Sequence, residues 1–215
     1  MDIAQSRTGF DSAMATVPVV AIVRLTDAGE AVAVAAAVHA GGIRLIEVTL
    51  TTAGALDAVG AVREAGPEGL VVGIGSVRTP AEAAAAVDAG AAYLVTPATN
   101  VEVIKVARAA GAPLICGGLT PTELDTAHQA GADYVKLFPA SAVGPRYLRE
   151  LLAPMPDLRI VPTGGITAAK IGEFRDAGAV GVGIGSALVD QREVAAANWA
   201  EIERRAAGLV AAWHG

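Results

Sequence analysis

The sequence predicts a closed (β/α)8, or TIM, barrel with an extra helix at its start. Its 215 residues fall within the roughly 200–250 that one large α/β domain occupies. Eight short apolar or β-branched runs alternate with Ala-rich helical patterns, which is how βαβ units and a parallel sheet read in sequence. Glycines at 41, 66, 90, 111 and 131 recur at intervals of 25, 24, 21 and 20 residues, leaving little room for insertions. A single domain over 1–215 follows.

Residues 1–16 carry Phe10 and Met14 at i and i+4, a helical spacing, and are expected to cover the N-terminal mouth of the barrel. Strands are expected at 19–24, 44–50, 70–76, 93–97, 113–118, 134–139, 159–165 and 181–186. Helices are expected at 28–40, 53–65, 80–89, 101–110, 121–130, 145–152, 168–177 and 193–213. Thr79-Pro80 and Thr120-Pro121 are N-cap and first-turn pairs. Gly41, Gly66, Gly90, Gly111, Gly131 and Gly178 read as left-handed C-caps. Trp199 and Trp213 on the final helix face either the barrel or a neighbouring subunit. An open doubly wound sheet is the rival, but neither Gly73-Ile74-Gly75 nor Gly183-Ile184-Gly185 is completed as GxGxxG before a helix.

Composition excludes several classes. With 53% hydrophobic and 18% charged residues, the chain has ample apolar surface to offset ordering entropy. A net charge of −6 gives no basic footprint for nucleic acid. No apolar run approaches the roughly 18–20 residues of a membrane span, and the polar opening lacks a secretory pattern. A soluble cytoplasmic protein is expected. Cys116 is the one cysteine, and a small buried hydrophobe is its expected role. His39, His128 and His214 lie far apart without ligand spacing, so no metal is expected.

In such barrels, chemistry sits at the C-terminal ends of the strands, and a period of two assigns the faces. Val135 and Leu137 are apolar and suit the helix-facing side, which turns Lys136 inward with Tyr134 and Phe138. The other two lysines, Lys105 and Lys170, fall on helical stretches. Desolvation favours a neutral amine, a nucleophile able to form a Schiff base with a carbonyl; the alternative is an edge lysine reaching water. On the second strand Ile46, Val48 and Leu50 face outward, and Leu45, Glu47 and Thr49 inward, with Thr51 next on that side. Glu47 is either the structural partner of a cation or a tuned acid–base group. Pro162-Thr163-Gly164-Gly165-Ile166-Thr167 and Gly183-Ile184-Gly185-Ser186 end strands seven and eight. Small loops there expose backbone amides and commonly cradle phosphate, although a tight turn alone would explain either.

These segments resemble the 2-keto-3-deoxy-6-phosphogluconate (KDPG) and 4-hydroxy-2-oxoglutarate (KHG) aldolase family, class I pyruvate aldolases. The resemblance spans about residues 19–189. It is carried by Ile46-Glu47-Val48-Thr49-Leu50, Gly73-Ile74-Gly75-Ser76-Val77, Lys136-Leu137-Phe138-Pro139-Ala140 and Pro162-Thr163-Gly164-Gly165-Ile166. It implies that Lys136 is the Schiff-base lysine and Glu47 the general acid/base. Ser76 stands where the family usually has a threonine beside pyruvate, Pro97 and Phe138 wall the site, and Gly164, Gly165, Gly185 and Ser186 form the phosphate cradle. Arg24 matches a substrate-contacting arginine of the related phosphogalactonate aldolases. The resemblance also implies a homotrimer acting on a small keto-acid phosphate, KDPG or KHG, without a cofactor. One departure stands out: Thr51 occupies the position where many phosphogluconate aldolases carry a carboxylate-binding arginine, and Arg24 is the expected substitute. Thr120-Pro121-Thr122-Glu123 and the stretch 138–145 resemble the galactonate branch, whereas Pro162-Thr163-Gly164-Gly165 resembles the gluconate type. Rivals to aldol chemistry are a phosphate-binding barrel enzyme without an imine and a non-catalytic phosphometabolite binder.

Overall fold

The computed structural model describes residues 3–26 and 28–215. Eight strands alternate with helices: β1 (Val19–Val23), β2 (Leu45–Thr49), β3 (Val71–Gly75), β4 (Leu94–Val95), β5 (Leu114–Gly118), β6 (Tyr134–Leu137), β7 (Ile160–Pro162) and β8 (Val182–Ile184). All pairings are parallel, in the order β7-β6-β5-β4-β3-β2-β1-β8. A parallel bridge between Thr163 and Gly183 joins the two ends, helped by the Val180 amide donating to the Ile160 carbonyl (3.0 Å). The barrel closes there.

The helices are α1 (Ile3–Thr16), α2 (Ala31–Ala40), α3 (Ala55–Ala65), α4 (Pro80–Asp88), α5 (Val101–Ala109), α6 (Pro121–Gln129), α7 (Gly144–Leu152), α8 (Ala168–Asp176), α9 (Gln191–Ala195) and α10 (Trp199–His214). Thr79 and Thr120 both form full capping boxes, with Glu82 and Glu123 respectively, and proline opens the helix that follows. Each box satisfies two orphan amides.

The alternation of faces divides the core into two shells. Between sheet and helices pack residues such as Ile46, Val48, Val135 and Leu137. Inside the barrel pack Leu45, Tyr93, Ile115, Tyr134 and Val161, sealed from below by α1. Phe10 of α1 has no exposed surface; its ring centroid lies 5.0 Å from that of Tyr93 and 5.8 Å, edge-on, from that of Tyr134. Burying one such ring stabilises the fold by about 1.5–3 kcal/mol.

Three expectations are corrected. The final helical pattern is two helices: Ala197 takes φ 48°, and the Asn198 amide turns back to the Glu193 carbonyl (2.8 Å), ending α9. Trp199 and Trp213 of α10 both pack against the outer core. Among the six glycines expected in the left-handed region, Gly41 and Gly66 have φ near −77°. Close packing explains Gly41, because a Cβ there would meet that of Ala206 at 2.4 Å. Strands seven and eight stop early, at Pro162 and Ile184; Gly164 and Gly165, at φ 98° and 69°, carry the chain out of extended geometry, so Thr163 to Gly165 form a loop.

Candidate active site

Lys136 and Glu47 both point into the barrel. Lys136 is 6% and Glu47 2% exposed, on strands separated by β3, β4 and β5. Space for the glutamate comes from β3: a Cβ at Gly75 would lie 1.7 Å from Glu47 Oε1, so no larger residue fits opposite it. Burial raises the Glu47 carboxyl above the ordinary glutamate range, and the charges of Lys136 and then Arg24 pull it back. Glu47 thus feels two cations, Lys136 buried in the barrel and Arg24 exposed at the end of β1. The Lys136 Nζ sits 5.1 Å from the Phe138 ring centroid, within cation–π range.

A cavity of about 760 Å3 opens at the C-terminal ends of β1, β6, β7 and β8, and neither Lys136 nor Glu47 is among the residues that line it. Arg24, Phe138, Thr163, Gly164, Gly165, Gly185 and Ser186 all line it, and Phe138 connects it to Lys136 below. A Cβ on Gly185 would meet nothing within 4 Å, so that residue opens onto free space. Gly183, one inward position lower, is instead filled against Thr163, whose Oγ1 would lie 2.4 Å from a Cβ. Thr167 precedes α8 without a side-chain cap bond and also lines the cavity, which brings the N-terminus of α8 to the cavity's edge.

Ser76, Pro97 and Thr51 lie outside the walls of that cavity. Ser76 follows β3 with φ 63°, a left-handed conformation costing about 1–3 kcal/mol for a residue with a side chain. Pro97 sits on Gly117 of β5, where a Cβ would come within 2.4 Å of the Pro97 carbonyl carbon; Gly117 in turn pairs with Lys136. The Thr96 hydroxyl fixes this crossing, accepting from the Gly117 amide (2.9 Å) and donating to the Ala98 carbonyl (2.8 Å). Thr51 is exposed and its hydroxyl is 2.9 Å from that of Thr49.

Sequence reasoning missed three features. Thr52, 3% exposed, accepts the Leu25 amide (3.0 Å) and ties the turn after Arg24 to the end of β2. Gln191 and Arg192 of α9 line the cavity; the helix expected from 193 onward leaves both outside it, although α9 begins at Gln191. Tyr93 fills the barrel directly beneath the site. A helix break and a cross-strand register carry these features, and neither has a local signal. Among the described residues no group of three or more His, Cys, Asp or Glu is arranged to hold a metal ion. Burial pushes the Cys116 thiol up, with weaker opposing hydrogen bonds from its neighbours, which disfavours a thiolate nucleophile.

Comparison with known proteins agrees with this geometry. The family model for KDPG and KHG aldolase matches residues 10–205. The KHG/KDPG aldolase of Escherichia coli (strain K12) is 36% identical over 169 residues, 78% of this chain and 79% of that protein. The 2-dehydro-3-deoxy-6-phosphogalactonate aldolase of the same organism is 35% identical over 172 residues, 80% of this chain and 84% of that protein. A KDPG aldolase structure from Legionella pneumophila, with pyruvate captured as a covalent carbinolamine, superposes with a TM-score of 0.83 at 28% identity, covering 92% of this chain and 96% of that one. Buried lysine and glutamate, glycine-lined cavity and matched sequence converge: the chain belongs to the KDPG and KHG aldolase family and is a carbon–carbon lyase.

Proposed function

We propose that this chain cleaves KDPG to pyruvate and glyceraldehyde 3-phosphate through a Schiff base on Lys136, with Glu47 as the acid–base group. One observation carries the reading: a lysine and a glutamate are buried in the same barrel interior, and Phe138, whose ring meets the lysine, also lines a cavity with Gly164, Gly165, Gly185 and Ser186.

Lys136 attacks the C2 ketone, and loss of water leaves a protonated imine that accepts electrons. Glu47, directly or through a water, takes the proton of the C4 hydroxyl while the C3–C4 bond breaks. The bond's electron pair moves into an enamine, and glyceraldehyde 3-phosphate leaves. Glu47 helps return a proton to C3, and water releases pyruvate from the lysine. The glycine loops, Thr163 and the first turn of α8 hold the phosphate, fixing the C4 hydroxyl against Glu47 and turning remote binding into orientation. Ser76 lies beside the pyruvate moiety, and Pro97 and Phe138 wall it.

Arg24 binds the substrate carboxylate in place of the arginine absent at Thr51. It lines the cavity and acts on the Glu47 carboxyl, so it reaches both the substrate space and the catalytic pair. KHG, cleaved to pyruvate and glyoxylate, is a second substrate on the same pyruvate half-site. Arg24 also supports the phosphogalactonate epimer as an alternative substrate, and kcat/KM for the two epimers decides between them. A homotrimer in the cytoplasm belongs to this reading on the family resemblance.

The chemistry is tested by borohydride reduction with pyruvate. A pyruvyl adduct on Lys136 is expected in the wild type and none in Lys136→Ala, whose kcat falls by at least about 10^4-fold, the scale of losing a nucleophile. Full turnover by that variant would leave a phosphate-binding barrel without imine chemistry. Binding of phosphate esters with no turnover of any keto acid by the wild type would leave a sensor.

A further inference from the structure

Among the described residues, one fully buried side-chain polar atom lacks a hydrogen-bond partner: the hydroxyl of Tyr93, on a residue with no exposed surface. Phenylalanine would fill the same space without the cost of an unpaired buried donor. Such an exception in an otherwise satisfied interior calls for a specific cause.

The bare inner face of β3 shows where the hydroxyl lies. Gly73 and Gly75 are successive inward positions of that strand. A Cβ at Gly73 would lie 2.6–2.7 Å from Cε1, Cδ1 and Cζ of Tyr93, and one at Gly75 would lie 1.7 Å from Oε1 of Glu47. The phenol and the carboxylate therefore occupy neighbouring steps of one glycine strip, with Tyr93 a step lower and the carbon bearing its hydroxyl on the strip. Gly73 pairs directly with Glu47 across the two strands. Burial, and then the charge on Glu47, push the Tyr93 phenol well above its ordinary range, so it stays a proton donor.

We propose that Tyr93 is a positioning residue for Glu47, donating a hydrogen bond to its carboxylate through an internal water and holding it ionised for removal of the C4 hydroxyl proton. The inference rests on Glu47 being the acid–base group. An internal water needs two or more polar partners, and the phenol and the carboxylate supply them. Glu47 otherwise faces the charges of Lys136 and Arg24. Below, Tyr93 meets the apolar ring of Phe10, and the nearby Tyr134 hydroxyl is engaged by Arg159.

Tyr93→Phe keeps the ring and removes only the donor. A hydrogen bond that stabilises the carboxylate lowers its pKa, so losing it raises the acid limb of the kcat profile by roughly 0.5–1 pH unit. At neutral pH kcat is expected to fall about 3- to 10-fold with KM nearly unchanged, while the thermal midpoint holds or rises. In a Glu47→Gln background the same substitution should leave the residual rate unchanged. An unshifted pH profile, or the same fold loss in both backgrounds, overturns the role of Tyr93 and leaves Glu47 in place. Wild-type turnover by Glu47→Gln alone overturns both.

Discussion

The two ends of the barrel are built from the same eight strands and filled in opposite ways. At the bottom, Phe10, Tyr93 and Tyr134 close the interior with aromatic rings, and α1 lies across them. At the top, Gly75, Gly117 and Gly183 clear space for Glu47, Pro97 and Thr163, and Gly164, Gly165 and Gly185 wall an open cavity. Large apolar groups at one end supply the stability that a buried lysine and glutamate at the other end cost. The contrast places stability and chemistry in separate halves, so substitutions in each half should move different measurements.

The largest effect on the stable half should come from Phe10→Ala. Removing a ring with no exposed surface is expected to cost about 3–5 kcal/mol, read as a lower urea midpoint, while kcat per folded molecule stays at the wild-type value. A loss of kcat in the folded variant would show that the two halves are coupled.

On the chemical half, Arg24→Ala is expected to raise KM for pyruvate-bearing substrates about 10-fold, the value of one charge-assisted contact, with the thermal midpoint unchanged because Arg24 is exposed. Unchanged Michaelis constants would remove Arg24 as the carboxylate partner.

The smallest effect sharpens the comparison most. Burial raises the folded Glu47 carboxyl above its ordinary value, so the fold favours its protonated form. The associated stability is complete in acid, below the ordinary glutamate range, and is lost as pH rises through the raised value. Glu47→Gln should therefore be more stable than the wild type at neutral pH, by roughly 1 kcal/mol or about 2–4 °C, and equal to it in acid. A pH-independent difference would contradict a charge-burial cost at the top of the barrel.

Much of this division is legible in the sequence, because it follows from short-range periods. Val135 and Leu137 set the direction of Lys136, Ile46 and Val48 that of Glu47, and the glycine loops announce the cavity by their place in the order of strands. What is not legible depends on contacts between distant segments. Ala195-Ala196-Ala197 reads as uninterrupted helix, and only the turn of Asn198 back onto Glu193 ends it. Gly41 looks like a left-handed cap until α10 is seen packed against it. Tyr93 reads as one more core aromatic; the isolation of its hydroxyl emerges only when β3 is laid beside β4.

The seam between β7 and β8 has its own consequence. Most neighbouring strands are joined by longer ladders, with β3 and β4 joined by the single pair Ile74 and Leu94; at this seam one bridge, Thr163 to Gly183, fastens the ring with the Val180 amide beneath it. Gly164 and Gly185 stand on opposite lips of this join, on the same cavity wall. A guest seated between them would act as a clasp, so filling the cavity and shutting the cylinder become one event, and the empty enzyme should breathe along this line.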